Sequence, residues 1–443
     1  MTEKGYKKYL LFVLVMIQAF NYVDGLALGL VLQSIKIELK LSDTQLGLMT
    51  GMAFALFYSV LGIPIARWAD RGNRVKIIGT TTALWSVAVA LCGSARSFTQ
   101  FLLIRVGVAV GESGCVPPAN SLIADYFSRA ERPRALGIYM LGAPLSAVIG
   151  YFVAGWLNEF YGWRTMFVLL GLPGLVLSTL AWTTLREPRC DNLSRSARVS
   201  ERQPTARQVA TVLWTNVTFR HLLISFSLIC FFGYGIQQWQ AVFFVRSYGL
   251  DTGTLGGWFA LIYGLGGSAG SYLGGFLASR YAARNERLQL RFMGLATAAF
   301  GALFALVYLS PGKHVAFALM GAAVIGGSAT TGPLFAIIQS LTPQRMRATS
   351  IAIIYLFANL LGLGCGPLVT GALSDVLRPL FGEESIRYTL LALCPGYVWG
   401  GWHMWCASRT ACRDLESVQS ETQASRADAE MTEKMQMEAH LPL

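Results

Sequence analysis

Apolar runs of about 20 residues recur along almost the whole chain, parted by short polar clusters. A helix rising ~1.5 Å per residue needs a run of that length to cross a hydrocarbon core ~30 Å thick. Twelve such runs stand out, over residues 9–33, 45–68, 77–95, 98–122, 134–158, 164–185, 221–246, 254–278, 290–309, 314–340, 348–376 and 387–407. The pattern predicts an all-α membrane protein with twelve transmembrane helices. Residues 186–220 interrupt it with a polar, basic, Ser-rich stretch, which predicts a linker with a surface helix near 205–215. The expected order is therefore a tail over 1–8, a six-helix bundle over 9–185, the linker over 186–220, a second six-helix bundle over 221–408, and a disordered tail over 409–443, where charges are mixed and aromatics few. The first run is too long for a cleavable signal and no small-residue cleavage site follows it, so it is expected to be retained.

Charge adds orientation. Only 14% of the 443 residues are charged, against roughly a quarter in soluble proteins. The net charge of +12 does not point to nucleic acid, because the basic residues alternate by loop. With the N-terminus inside, 27 Lys and Arg fall on the inner side and eight on the outer side, among them Lys36, Arg246 and Arg378. By the positive-inside rule both ends are cytoplasmic, and the short loops suit a bacterial inner membrane. The cysteines and histidines have no metal-ligand spacing, and no phosphate-binding loop, nucleotide motif or Ser-His-Asp set is present. The expected protein is not an enzyme, uses no cofactor or metal, and is a monomer whose partners are the bilayer, protons and a small-molecule substrate.

The halves repeat each other. Glu131-Arg132-Pro133-Arg134-Ala135 precedes the fifth run, and Gln344-Arg345-Met346-Arg347-Ala348 precedes the eleventh, 213 residues later. ARWADRGNR at 66–74 follows the second run, and GFLASRYAAR at 275–284 follows the eighth, 209 residues later. Two matches at nearly one offset indicate an internal duplication, and two six-helix repeats are a transporter architecture. Asp70-Arg71-x-Asn73-Arg74 resembles the signature loop of the major facilitator superfamily, with Ala66, Asn73 and Val75 departing from its pattern. Together with Asn21-Tyr22-Val23-Asp24 and Arg105-x6-Glu112, it resembles the Spinster-like branch, although Gly25 stands where those proteins usually carry Arg. The resemblance covers most of residues 9–407. It implies the major facilitator fold of two pseudo-symmetric bundles, alternating access, and a role for Asp24, Arg105 and Glu112 in proton coupling and substrate binding.

The residues themselves support that role. Asp24, Arg105 and Glu112 lie deep in apolar runs, where an ionised group is costly and faces a partner or a watery path. Helix rise puts Asp24 and Arg105 at similar depth, with Glu112 about 10 Å deeper on the same face of the fourth helix. A static ion pair is the structural alternative, but buried pairs stabilise poorly compared with apolar packing. The expected mechanism has Glu112 or Asp24 take a proton, freeing Arg105, while an anionic head group also competes for the guanidinium. Asp70 is expected near a helix N-terminus, with Arg71 and Arg74 reaching across the two halves to latch the outward-facing state. Asn21, Tyr22, Tyr234 and Gln237 are expected to line the cavity, and Tyr58, Asn120, Tyr139, Tyr263, Tyr355 and Asn359 each either to line it or to bond between helices. The second half has no intramembrane charge by this reading, so the cavity is expected to be amphipathic. The expected function is proton-coupled transport of an amphipathic anion such as a lysolipid or sphingoid phosphate. Organic-acid import, drug efflux and a non-transporting receptor are the alternatives.

Overall fold

The structure, a computed structural model, describes residues 2–128, 130–188, 206–281, 285–342 and 346–439, excepting the side chains of 63, 66–67, 69–71, 133, 206–208, 210, 212, 347–348 and 418–439. Residues 189–205, about half of the linker, therefore lie outside the described residues. The first half holds α1 (Glu3–Leu39), α2 (Asp43–Gly47, Leu48–Met52 and Ala53–Arg71 in one rod), α3 (Arg74–Cys92) and α4 (Phe98–Glu112, then Val116–Tyr126). Its α5 and α6 run through Arg132–Met140 and Gly142–Thr184 and part at Gly162, whose φ of 76° few other residues would tolerate. The second half holds α7 (Val217–Tyr248), α8 (Thr252–Phe259, Ala260–Gly266 and Gly267–Tyr281), α9 (Glu286–Leu309) and α10 (Lys313–Ser340). It closes with α11 (Arg347–Phe357, Ala358–Cys365 and Gly366–Phe381) and α12 (Ser385–Leu393 and Pro395–Ala439).

Nine stretches among the described residues are long and apolar enough to cross a membrane. The two longest have 51 and 69 residues, or ~75 and ~100 Å if straight, so each holds two crossings. The glycine-rich α8 supplies the twelfth. Polar residues between the runs double as helix caps: Asn73, Ser97, Asn216, Asp251 and Asn285 each accept a hydrogen bond from a backbone N–H three residues on. In α3 the hydroxyls of Thr80 and Thr81 bond back to the carbonyls of Lys76 and Ile77 at 2.8 Å, so they do not disturb the span. Helix α12 continues through the tail to Ala439. Its Ala, Glu, Gln, Met and Arg are good helix formers.

The duplication is visible in the packing. α3 lies along α6 as α9 lies along α12, and α1 packs on the α5–α6 pair as α7 packs on α11 and α12. α2, α8 and α11 each carry a wider π-helical turn, at Leu48–Met52, Ala260–Gly266 and Ala358–Cys365. Such turns collect at functional sites. The halves meet through two matched close approaches. A Cβ on Gly51 of α2 would strike the Gly364 carbonyl of α11, and one on Gly155 of α5 would strike the Thr252 carbonyl of α8.

Candidate functional site

Asp24 on α1 and Arg105 on α4 form an ion pair, both only 3% exposed at the side chain. The guanidinium also lies 5.1 Å from the ring centre of Phe54 on α2, a cation–π contact strengthened where water is excluded. Its Nε is buried without a hydrogen-bond partner among the described residues. Glu112, on the same helix, is 4% exposed and its carboxyl faces that of Asp24 at hydrogen-bonding range. Two carboxylates cannot bond to one another, so this contact forms only when they share a proton. Ionised, Glu112 leaves its buried Oε1 unpartnered. The amide of Asn21, one turn before Asp24, is also buried, with neither polar atom partnered among the described residues. Beside it, a Cβ on Gly25 would meet nothing within 4 Å. One cation thus serves two acids, and several polar atoms around it are unsatisfied.

Tyrosines from both halves surround the trio. Tyr22 interacts electrostatically with Glu112 and with Tyr355 of the second half. Tyr58 does so with Glu112, Tyr22 and Tyr234, and its ring stacks on Phe54 at 5.6 Å. Tyr355 stacks on Phe335 at 5.3 Å. Tyr22 of α1 and Tyr58 of α2 therefore face Glu112, and Tyr234 of α7 and Tyr355 of α11 approach that pair from the second half. Tyr139 is buried and donates to Gln18 Oε1 at 2.6 Å, so it acts as a bond between α5 and α1. Gln237 donates to the Tyr151 hydroxyl across the halves at 3.4 Å, and Tyr263 donates to Gln240 within the second half. Asn359 lies half-buried in the π-helical turn of α11. Asn120 keeps a buried, unpartnered Oδ1 on α4. The sequence reading missed Phe54 and Tyr151. Phe54 precedes Tyr58 by one turn, a spacing that puts both on one face.

Of the signature loop, Arg74 pairs otherwise than expected. Asp70 and Arg71 end α2, with their side chains outside the described residues. Arg74, expected to reach the other half, is fully buried within its own. It pairs with Asp125 at 2.7 Å and with Glu187, and bonds Ser121 at 3.0 Å. Glu187 also accepts from the Arg74 backbone N–H at 2.6 Å, so Arg74 fastens the start of α3 to the chain beyond α6.

A second buried network, at the end remote from the linker, was read from the sequence as loop charge. Asp43 at the start of α2 accepts from Lys36 of α1, from both Nη atoms of Arg246 on α7 at 2.8 and 2.9 Å, and from Ser374 of α11 at 2.8 Å. Asp375 of α11 accepts from Asp43 N, Thr44 N and the Thr44 hydroxyl at 2.6 to 3.0 Å. Thr252 joins Asn158 on the opposite flank at 2.9 Å. Among the described residues, the polar bonds between the halves lie at this far end or at mid-depth. Asp43→Asn would leave Lys36 and Arg246 as buried cations without their shared acid. Breaking such a set costs ~3–5 kcal/mol. Hydrogen exchange is expected to show α2 and α11 losing protection at the far end, with the linker end unchanged.

Comparison with known proteins gives the same grouping. The sequence pattern of the Major Facilitator Superfamily matches residues 14–394. An MFS-type efflux pump of Mycolicibacterium smegmatis (strain ATCC 700084 / mc(2)155) is 29% identical over 411 residues, 91% of this chain and 93% of the pump. The crystal structure of a bacterial homologue of the human lysosomal transporter Spinster, inward-facing and unoccupied, superposes with a TM-score of 0.82 at 30% identity, covering 93% of this chain and 98% of that one. A probable L-galactonate transporter of Escherichia coli (strain K12) is 26% identical over 266 residues, 58% of each chain.

Proposed function

The chain belongs to the Major Facilitator Superfamily, in its Spinster-like branch, and is a multi-pass membrane transporter rather than an enzyme; from that premise we propose that it moves an amphipathic anion, such as a lysolipid or sphingoid phosphate, by alternating access coupled to protons. The observation that carries this reading is one guanidinium, with a donor to spare, that serves two buried acids and is bonded to one of them. An anionic head group that takes Arg105 displaces Asp24. A carboxyl in apolar surroundings that loses its cation binds a proton, and Glu112 stands beside it to share that proton. Cargo and proton are thereby linked through one side chain. Proton binding when the cavity faces outward frees Arg105 and permits the halves to rock.

The cargo's tail fits the second half, whose wall near the trio is aromatic: Tyr234, Tyr355, Phe226 and Phe335. A second reading, transport of a hydrophilic organic acid, draws support from the L-galactonate relative and from the unpartnered amide of Asn21. Proteoliposomes given a pH gradient and either lysophosphatidate or L-galactonate separate the two. Lysophosphatidate uptake that collapses with a protonophore is expected; uptake of L-galactonate alone would favour the second reading.

The 27-to-8 split of basic residues puts the linker and both ends in the cytoplasm of a bacterial inner membrane, with the Asp43 network outside. The halves then meet on the outer side and the cavity opens inward. In this reading 9–185 and 221–408 are the rocking bundles, and the unit is a monomer. Asp70 and Arg71 act when the inner side closes, with Arg74 holding the base of that loop.

A further inference from the structure

A cavity of about 800 Å³ lies in the second half near the linker, bounded by α7, α11, α12 and the linker helix Ala206–Thr215. All its lining residues fall between 214 and 399, whereas the charged trio belongs to the first half. Ile224, Leu228 and Phe231 of α7, Phe357 and Leu361 of α11, and Trp399 of α12 make its apolar walls. Arg220 and His221 stand one turn into α7, beside Trp214 of the linker helix. Among the described residues the Arg220 guanidinium has no ion-pair or hydrogen-bond partner, the backbone N–H alone bonding Asn216 at 3.1 Å. The nearby carboxylate of Asp414 is committed to Thr218, accepting from its N–H at 2.9 Å and its hydroxyl at 2.8 Å. His221 is held in place by His403, with Nδ1 to Nδ1 at 3.0 Å. The linker helix is anchored by Val209 and Leu213, which are buried against the second half with Phe219, Leu222 and Ile354.

We propose that this groove binds one anionic phospholipid of the leaflet on the linker side, its phosphate on Arg220 and an acyl chain along the wall. Charge complementarity favours the anionic lipid: an unpaired cation sits at the polar end of an otherwise apolar groove. Position favours a lipid over a protein. Ile224, Phe357, Leu361 and Trp399 are large apolar side chains left 40 to 53% exposed within spanning helices, and lipid is the neighbour there. Basic pockets between helices at the cytoplasmic side recognise acidic lipid heads, and a tryptophan at the mouth suits the interface.

Native mass spectrometry of the full chain tests this, with purified protein titrated with palmitoyl-oleoyl phosphatidylglycerol or the matching phosphatidylcholine. Wild type is expected to retain one phosphatidylglycerol and to shed phosphatidylcholine. Arg220→Ala is expected to weaken retention about fivefold. Ile224→Trp, which fills the groove and keeps the cation, is expected to weaken it as well, with both variants melting as wild type does in phosphatidylcholine micelles. Equal retention of the two lipids by wild type, or wild-type retention by either variant, overturns the site.

Discussion

Arg105→Ala is expected to abolish cargo binding and to lower the melting temperature sharply, while Asp24→Asn added to it restores most of the stability and none of the transport. The guanidinium is the cation that the structure pairs with Asp24 and places within electrostatic reach of Glu112. Removing it strands acids in a site only a few per cent exposed, and breaking a buried pair in this way costs ~3–5 kcal/mol. Neutralising Asp24 removes the stranded charge, and a neutral replacement for a buried ion pair is often no less stable than the pair. The four proteins make a double-mutant cycle, read by thermal unfolding and by uptake into proteoliposomes. If Asp24 and Arg105 served only to hold α1 to α4, the double variant would transport.

Glu112→Gln is expected to uncouple transport from the proton gradient with little loss of stability. The amide has the shape of the acid, cannot take a second proton, and leaves the Asp24–Arg105 pair intact. A gradient of one pH unit is worth about tenfold accumulation for each coupled proton. In the variant that accumulation falls to about one, while exchange of labelled for unlabelled cargo continues. Accumulation driven by pH at the wild-type level would reject Glu112 as the coupling acid. The same substitution at Asp24 is less informative, because it also strips Arg105 of its partner.

Apolar run length sufficed for the twelve crossings, and charge in the wrong medium picked out the residues that form the Asp24–Arg105 pair. Both signals are local and strong. Arg74 was misassigned because its acid, Glu187, lies 113 residues away, at a position that reads as the start of a linker. The Asp43 network was hidden for a related reason. Helix α1 runs to Leu39, six residues past the end of its apolar run, so Lys36 and Arg246 looked like solvated loop charges. Only the approach of α7 and α11 makes them a buried set. The π-helical turns of α2, α8 and α11 leave hydrophobicity unchanged, and Gly51 and Gly364 show their purpose only when α2 meets α11. The tyrosines around Glu112 were legible one by one as polar groups in apolar helices. The approach of Tyr234 and Tyr355 to Tyr22 and Tyr58 was not, since it depends on how the halves are docked.

Proton uptake on cargo binding tests the central claim most directly. Purified protein in weakly buffered detergent near neutral pH, with an indicator dye, is given whichever of lysophosphatidate or L-galactonate the uptake assay selects. Wild type is expected to take up about one proton for each anion bound, and the Asp24→Asn/Glu112→Gln double variant to bind without taking up any. Binding to wild type with no proton uptake, or equal uptake by the double variant, would contradict competition between cargo and acid for Arg105.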